Sequence, residues 1–184
     1  INRFGRIDIL VNNSGGPKPG SFFDFNDNDW DDAYNDVLKY VIRLNRMVIP
    51  YMKENNWGRI INITSLKVKE PSENLVLSNV FRAGVVSLAK SLSNELIKNN
   101  ITINNICPGA FKTDRAIDLI AKAAQKKNIS IEEFEELAVK NIPLGRYQYP
   151  HELGDLVAFL ASDLAGAITG TTIQIDGGIS KGLL

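Results

Sequence analysis

Residues 58–93, GRIINITSLKVKEPSENLVLSNVFRAGVVSLAKSLS, decide how this chain folds. The stretch opens as a buried strand, with Ile60, Ile61 and Ile63 forming a β-branched run around Asn62. Thr64-Ser65 break that run, and a loop carrying Lys67, Lys69 and Pro71 follows. Leu77, Val80, Phe81, Gly84, Val85 and Leu88 then recur at helical spacing and predict a long helix. A strand that ends in a small hydroxyl residue and leads through a loop into a helix places that loop at the strand's C-terminal edge. Open parallel sheets bind ligands at that edge, so an active site is expected around Ser65.

The flanking sequence repeats the pattern. Upstream, Ile7 to Val11 is a short apolar run stopped by Asn12-Asn13-Ser14-Gly15-Gly16-Pro17, as in a buried parallel strand that ends in a Gly-rich turn. Phe22, Phe23 and Phe25 pin down the polar loop that follows. Asp27 or Asn28 is placed to cap a helix over 29–55, whose stripe is Ala33, Val37, Val41, Leu44, Val48 and Met52. Pro50 predicts a kink or an early stop in it. Downstream, Asn99-Asn100 ends the second helix, and Ile101 to Cys107 is a third buried strand stopped by Pro108-Gly109. Residues 114–142 read as two helices broken at Asn128-Ile129-Ser130, with Ser130 and Glu133 in capping-box spacing. Pro150 opens a helix to about Ser162, and Gly170 to Ile175 is a fourth strand closed by Asp176-Gly177-Gly178. Strands alternating with helices predict parallel strands joined by right-handed crossovers, an α/β layered sheet.

Composition narrows the function classes. At 184 residues, 44% hydrophobic and 23% charged, the chain is of ordinary globular make-up and long enough for a real core. Formal net charge is zero, so no global field draws in nucleic acid or an anionic membrane. No apolar run approaches the length of a membrane span, and INRFGRIDILV lacks the order of a secretory signal. A cytoplasmic location is the expectation. The single cysteine, Cys107, and the single histidine, His151, leave no Cys/His metal cluster, and His151 reads as an exposed residue in the first turn of a helix.

Four landmarks in order carry a resemblance: NNSG after the first strand, GRIINITS in the second, PGAFKTD after the third, and ITGTTIQIDGG near the end. The chain resembles the short-chain dehydrogenase/reductase family, most of all its 3-oxoacyl-[acyl-carrier-protein] reductase and glucose dehydrogenase branch. The resemblance implies an α/β fold, a Rossmann-type doubly wound parallel sheet in three α/β/α layers, with the family's N-terminal βαβ part absent from this chain. It also implies one Rossmann-type domain over 1–184, matching the C-terminal two-thirds of the family fold, with a helical substrate-loop insertion at 114–142. The Gly-rich phosphate loop would then lie upstream of Ile1. NAD or NADP is the implied cofactor, a small-molecule carbonyl or alcohol the substrate, and a homotetramer or homodimer the assembly. The long helices at 29–55 and 77–99 would pair with their symmetry mates, and the apolar tail Ile179 to Leu184 would be covered.

The family's catalytic set is Asn, Ser, Tyr and Lys, with Tyr four residues before Lys. Ser65 matches the family Ser; the Tyr falls on Ser78, the Lys on Arg82 and the Asn on Val37. A Tyr works in such a site because a neighbouring cation pulls its pKa from ~10 toward neutrality. A Ser hydroxyl is a far weaker acid, although Ser78 can still donate a hydrogen bond. Arg82 keeps the positive charge and cannot relay a proton. Lys69 is the best remaining acid, because a nearby Arg82 would push it toward neutrality. The candidate catalytic residues are therefore Ser65, Ser78, Arg82 and Lys69. On the cofactor side the resemblance places Asn13, Ser14 and Gly15 under the adenosine ribose and Arg82 at ribose hydroxyls. It lets the backbone approach closely at Pro108-Gly109, and it sets Phe111 and Thr113 at the carboxamide. Bland readings stay open: Ser65 as a turn former, Gly15 and Gly109 as ordinary turns, Lys69 as a solvated loop lysine. Two function classes follow: an NAD(P)-dependent oxidoreductase with a rearranged proton donor, and a non-catalytic relative that binds a dinucleotide or a partner.

Overall fold

The computed structural model describes residues 1–183, apart from the side chain of Arg115. Leu184, one of the two leucines of the expected apolar tail, lies outside the described residues. Four strands, β1 (Ile9–Asn12), β2 (Gly58–Ile63), β3 (Ile101–Pro108) and β4 (Thr172–Ile175), form one sheet in sequence order. All three pairings are parallel, as the alternation predicts. The side-chain period of two then divides the strands between two faces. Ile60, Ile101 and Ile103 pack against Val48 and Met52 of helix α2 (Tyr40–Glu54) and Ala89 and Leu96 of helix α3 (Val76–Leu96). Ile61 and Ile106 point the other way, onto Leu160, Leu156 and Val157 of a helix at Pro150–Leu160.

Two helix expectations need correction. Asn26, not Asp27 or Asn28, caps the first helix, α1 (Asp27–Ala33); its side chain accepts the Asp29 N–H at 3.2 Å, and the Asp29 carboxylate returns to the Asn26 N–H. In a run as polar as FNDNDWDD several residues can cap, and this reciprocal pair decides among them. Pro50 does not stop its helix, because α2 continues to Glu54 and buries Met52 completely. The irregularity comes earlier, as a π-helical segment at Tyr34–Lys39 between α1 and α2. Such segments often sit at functional sites. Gly84 lets α3 approach it: a Cβ there would stand 2.9 Å from Leu38.

The apolar face toward α2 and α3 carries one polar row. Asn12, Asn62, Asn105 and Thr172 are register partners across the four strands. Asn12 donates to Asn62 at 2.8 Å, Asn62 to Asn105 at 2.9 Å, and Asn105 to the Thr172 hydroxyl at 3.2 Å. A slip of one residue in any strand would turn its asparagine to the opposite face, so the row fixes the register. Asn62→Ala would leave the buried Asn105 side-chain oxygen without its donor and the Asn12 amide with only its 3.4 Å bond to Asn45. It is expected to lower the unfolding free energy by about 2–4 kcal/mol, read from urea denaturation.

At the β1 edge Ile9 and Val11 are 47% and 42% exposed, so the second face is uncovered beside that strand. Helices α4 (Asp114–Lys127) and α5 (Ile131–Val139) follow β3, and the last helix, α6 (Pro150–Leu160), precedes β4. Asn128 turns the chain between α4 and α5 in the left-handed conformation, and Ser130 caps α5 by accepting the Glu133 N–H.

Candidate active site

The loops that leave β1, β2, β3 and β4 gather at the C-terminal edge of the sheet. Ser65 is extended and starts a single 3-10 turn, Leu66–Val68, with its Oγ accepting the Lys67 N–H at 3.2 Å. That bond uses a lone pair and leaves the Ser65 proton free to donate. A cleft of about 270 Å³ runs from Ser65 and Leu66 to Pro108, Gly109 and Ile179. Pro108-Gly109 therefore lies across the cleft from Ser65.

Gly109 is required by close approach: a Cβ there would lie 2.6 Å from the Cα of Asp176. Gly109→Ala is expected to cost about 1–3 kcal/mol through forced backbone displacement, seen as a lower denaturation midpoint. Gly15 differs, because a Cβ there would meet nothing within 4 Å. Its missing side chain serves no packing purpose and leaves the turn after β1 open to a ligand.

Arg82 is buried on α3, one turn after the likewise buried Ser78. Its Nη1 donates to the Thr64 carbonyl at 2.8 Å and the Ile63 carbonyl at 3.1 Å, and its Nη2 to the Gly15 carbonyl at 3.4 Å. The need for these donors is visible in the ladder. Residue 108 would be the next to bond the Thr64 carbonyl, but Pro108 has no N–H. Burial pushes the Arg82 guanidinium below its usual range.

Cys107 lies beside this group. The Thr64 hydroxyl lies 2.8 Å from the Ile106 carbonyl, to which it can donate, and 3.3 Å from the Cys107 Sγ, where either atom can be the donor. Burial pushes the thiol pKa up; the Thr64 hydroxyl and the charges of Lys69 and Arg82 pull against it. Lys69 is half-buried at the end of the 3-10 turn, with its N–H on the Leu66 carbonyl. Val37, in the π-helical segment, is 2% exposed and offers no polar group.

On the expected cofactor side, Asn13 and Gly15 are exposed, and Ser14 turns its hydroxyl to the Gly15 carbonyl. Phe111 bridges to Gln148 through its neighbours' hydrogen bonds. Its own N–H takes no partner among the described residues. Thr113 caps α4 by accepting the Ala116 N–H, which leaves its hydroxyl proton free. An open Gly15 turn, a free Phe111 N–H and a free Thr113 proton fit a dinucleotide laid along the strand ends. Among the described residues no cluster could hold a metal ion, and no helix is long and apolar enough to cross a membrane. His151 stands near the start of α6, exposed and stacked on Tyr149.

Sequence reading missed the asparagine row, the π-helical segment and the carbonyl-bound state of Arg82. One signal was present: each of the first three strands carries an asparagine within or directly after its apolar run.

Comparison with known proteins agrees with the fold. The family model described as enoyl-(acyl carrier protein) reductase matches residues 1–180. The 3-oxoacyl-[acyl-carrier-protein] reductase FabG of Thermotoga maritima is 34% identical over 179 residues, covering 97% of this chain and 68% of its own length. The crystal structure of YwfH, an NADPH-dependent reductase involved in bacilysin biosynthesis, superposes with a TM-score of 0.91 at 33% identity. The match covers 99% of this chain and 70% of that one. L-sorbose reductase from Gluconobacter frateurii, solved with NADPH and L-sorbose, gives a TM-score of 0.93 at 28% identity, covering 99% of this chain and 70% of that one. With the parallel sheet, the loop cluster at its C-terminal edge and these matches, the chain belongs to the short-chain dehydrogenase/reductase family.

Proposed function

We propose that this chain acts as an NAD(P)-dependent oxidoreductase of the short-chain dehydrogenase/reductase type that interconverts a small-molecule carbonyl and its alcohol. The observation that carries this reading is the cleft at the strand ends, where Ser65 lies opposite Pro108-Gly109. When bound, NAD or NADP supplies or takes up the hydride. Asn13, Ser14 and Gly15 form the open turn beneath it, and Pro108-Gly109 permits close backbone approach. The Phe111 N–H and the Thr113 hydroxyl donate to its polar edge. Ser65 donates to the carbonyl oxygen of the substrate and holds it in place. Ser78 adds a hydrogen bond without giving up its proton. Lys69 delivers the proton to that oxygen, and Arg82 keeps the strand ends together and contributes positive charge. The single domain with its helical insertion at 114–142 supplies the remaining wall, and the reaction takes place in the cytoplasm.

The assembly is a homotetramer or homodimer. Its support is an exposed apolar residue on each long helix, Met47 on α2 and Val80 on α3, together with the exposed Leu183. Light scattering at micromolar protein is expected to give a mass above that of one chain; a monomer would contradict it.

A second reading has one observation in its favour. Arg82 commits three of its five N–H donors to backbone carbonyls, which suits a family relative that keeps the fold and binds a dinucleotide or a partner without catalysis. NADPH titration combined with turnover on a carbonyl panel separates the two. Binding with reduction supports the oxidoreductase; binding without reduction supports the non-catalytic relative.

A further inference from the structure

Glu70 and the C-terminal segment are tied together across the site. One carboxylate oxygen of Glu70, Oε1, accepts three bonds: from the Ser180 hydroxyl at 2.9 Å, the Lys181 N–H at 2.7 Å and the Gly182 N–H at 2.9 Å. The Lys181 N–H first, then the Ser180 hydroxyl and the Gly182 N–H, hold the Glu70 carboxyl below the usual carboxylate range. The segment reaches Glu70 through a built turn. Asp176 accepts the Gly178 N–H at 2.9 Å and the Ser180 N–H at 2.8 Å. Gly177 and Gly178 take φ of 66° and 85°, a conformation that favours glycine.

The sheet order gives the span its meaning. Glu70 follows β2 and the segment follows β4, so their contact passes over the exit of β3 between them, about 10 Å of sheet. Pro108-Gly109 leaves β3 beneath that crossing, and Ile179 lines the same cleft as Ser65 and Pro108. Lys181 and Gly182 are exposed, and exposed backbone remains ordered only where something ties it down.

We propose that Glu70 is a positioning residue that clamps residues 179–182 across the strand ends, so that Ile179 becomes a wall of the cleft and restricts the bulk of the carbonyl substrate. The clamp stands on the geometry alone, whereas the role of Ile179 rests on the oxidoreductase reading. With the clamp closed, the wall is apolar and fixed. With it open, the cleft widens toward solvent and admits branched substrates.

The test uses amide hydrogen exchange and kinetics on the full-length protein. Glu70→Ala is expected to speed exchange at the Lys181 and Gly182 amides by ~10-fold or more, the scale of a lost charge-assisted bond. The amides of Ile103 and Ile106 should be unchanged, which separates an opened clamp from general unfolding. Glu70→Gln keeps an acceptor oxygen and should retain part of the protection. Equal exchange at Lys181 and Gly182 in wild type and Glu70→Ala would overturn the clamp. In a panel of linear and branched ketones with NADPH, Ile179→Ala and Glu70→Ala should each shift the kcat/KM ratio toward branched ketones by ~10-fold, the scale of a few methylenes in an apolar pocket. The shift should appear mainly in KM. An unchanged ratio would overturn the wall. If no carbonyl is reduced at all, the oxidoreductase reading falls and takes the wall with it, and the exchange data alone decide the clamp.

Discussion

Lys69→Met is expected to lower kcat/KM for carbonyl reduction by ~10²–10⁴-fold, the usual scale of general acid help, while Ser78→Ala lowers it less. Among Ser65, Ser78, Arg82 and Lys69, elimination leaves Lys69 as the acid. In the register that the family resemblance implies, Ser78 stands at the tyrosine position, and a serine hydroxyl is too weak an acid near neutral pH. Arg82 stays protonated even though burial lowers its pKa. Ser65 can orient the carbonyl, but it too is an alcohol. Lys69 follows on the same loop, half-buried at the end of the 3-10 turn. Arg82→Lys combined with Ser78→Tyr recreates the family pair and is expected to restore reduction in the Lys69→Met background. Stopped-flow measurement of cofactor oxidation reads each variant.

Arg82→Met is expected to lower the unfolding free energy by about 2–4 kcal/mol and the melting temperature by about 5–15 °C. Methionine nearly matches the volume, so the loss comes from the hydrogen bonds and not from a cavity. Three carbonyls, of Ile63, Thr64 and Gly15, would lose their donor. The Thr64 carbonyl has no substitute, because Pro108 stands where the next ladder N–H would be. Arg82→Lys can satisfy fewer carbonyls and should fall between the two. Differential scanning calorimetry gives the order; an Arg82→Met protein that melts with the wild type would show that these bonds are not structural.

Much of the fold was legible because it rests on local pattern. Each strand is an apolar run ended by small or turn-forming residues, and Ser130, Pro150 and Asn100 mark helix ends by their own chemistry. Where several candidates stood together, as in the polar run before α1, the pattern could not choose Asn26. The π-helical segment left no trace, since Tyr34 to Lys39 continues the spacing of an ordinary helix. The cleft was legible in its position at the strand ends, and the family register brings Ser65, Ser78 and Arg82 forward as candidates. What those residues bond to was not legible, because it depends on chain neighbours far apart in sequence. Gly15 and Arg82 meet across 67 residues, and Glu70 and Ser180 across 110.

The most direct single measurement is cofactor oxidation by the full-length protein over a carbonyl panel, with wild type and Lys69→Met compared at equal NADPH saturation. Reduction of at least one carbonyl by the wild type, lost in Lys69→Met while NADPH affinity is retained, is the expected result. A wild type that binds NADPH and reduces nothing, or a Lys69→Met protein with unchanged kcat/KM, would contradict it.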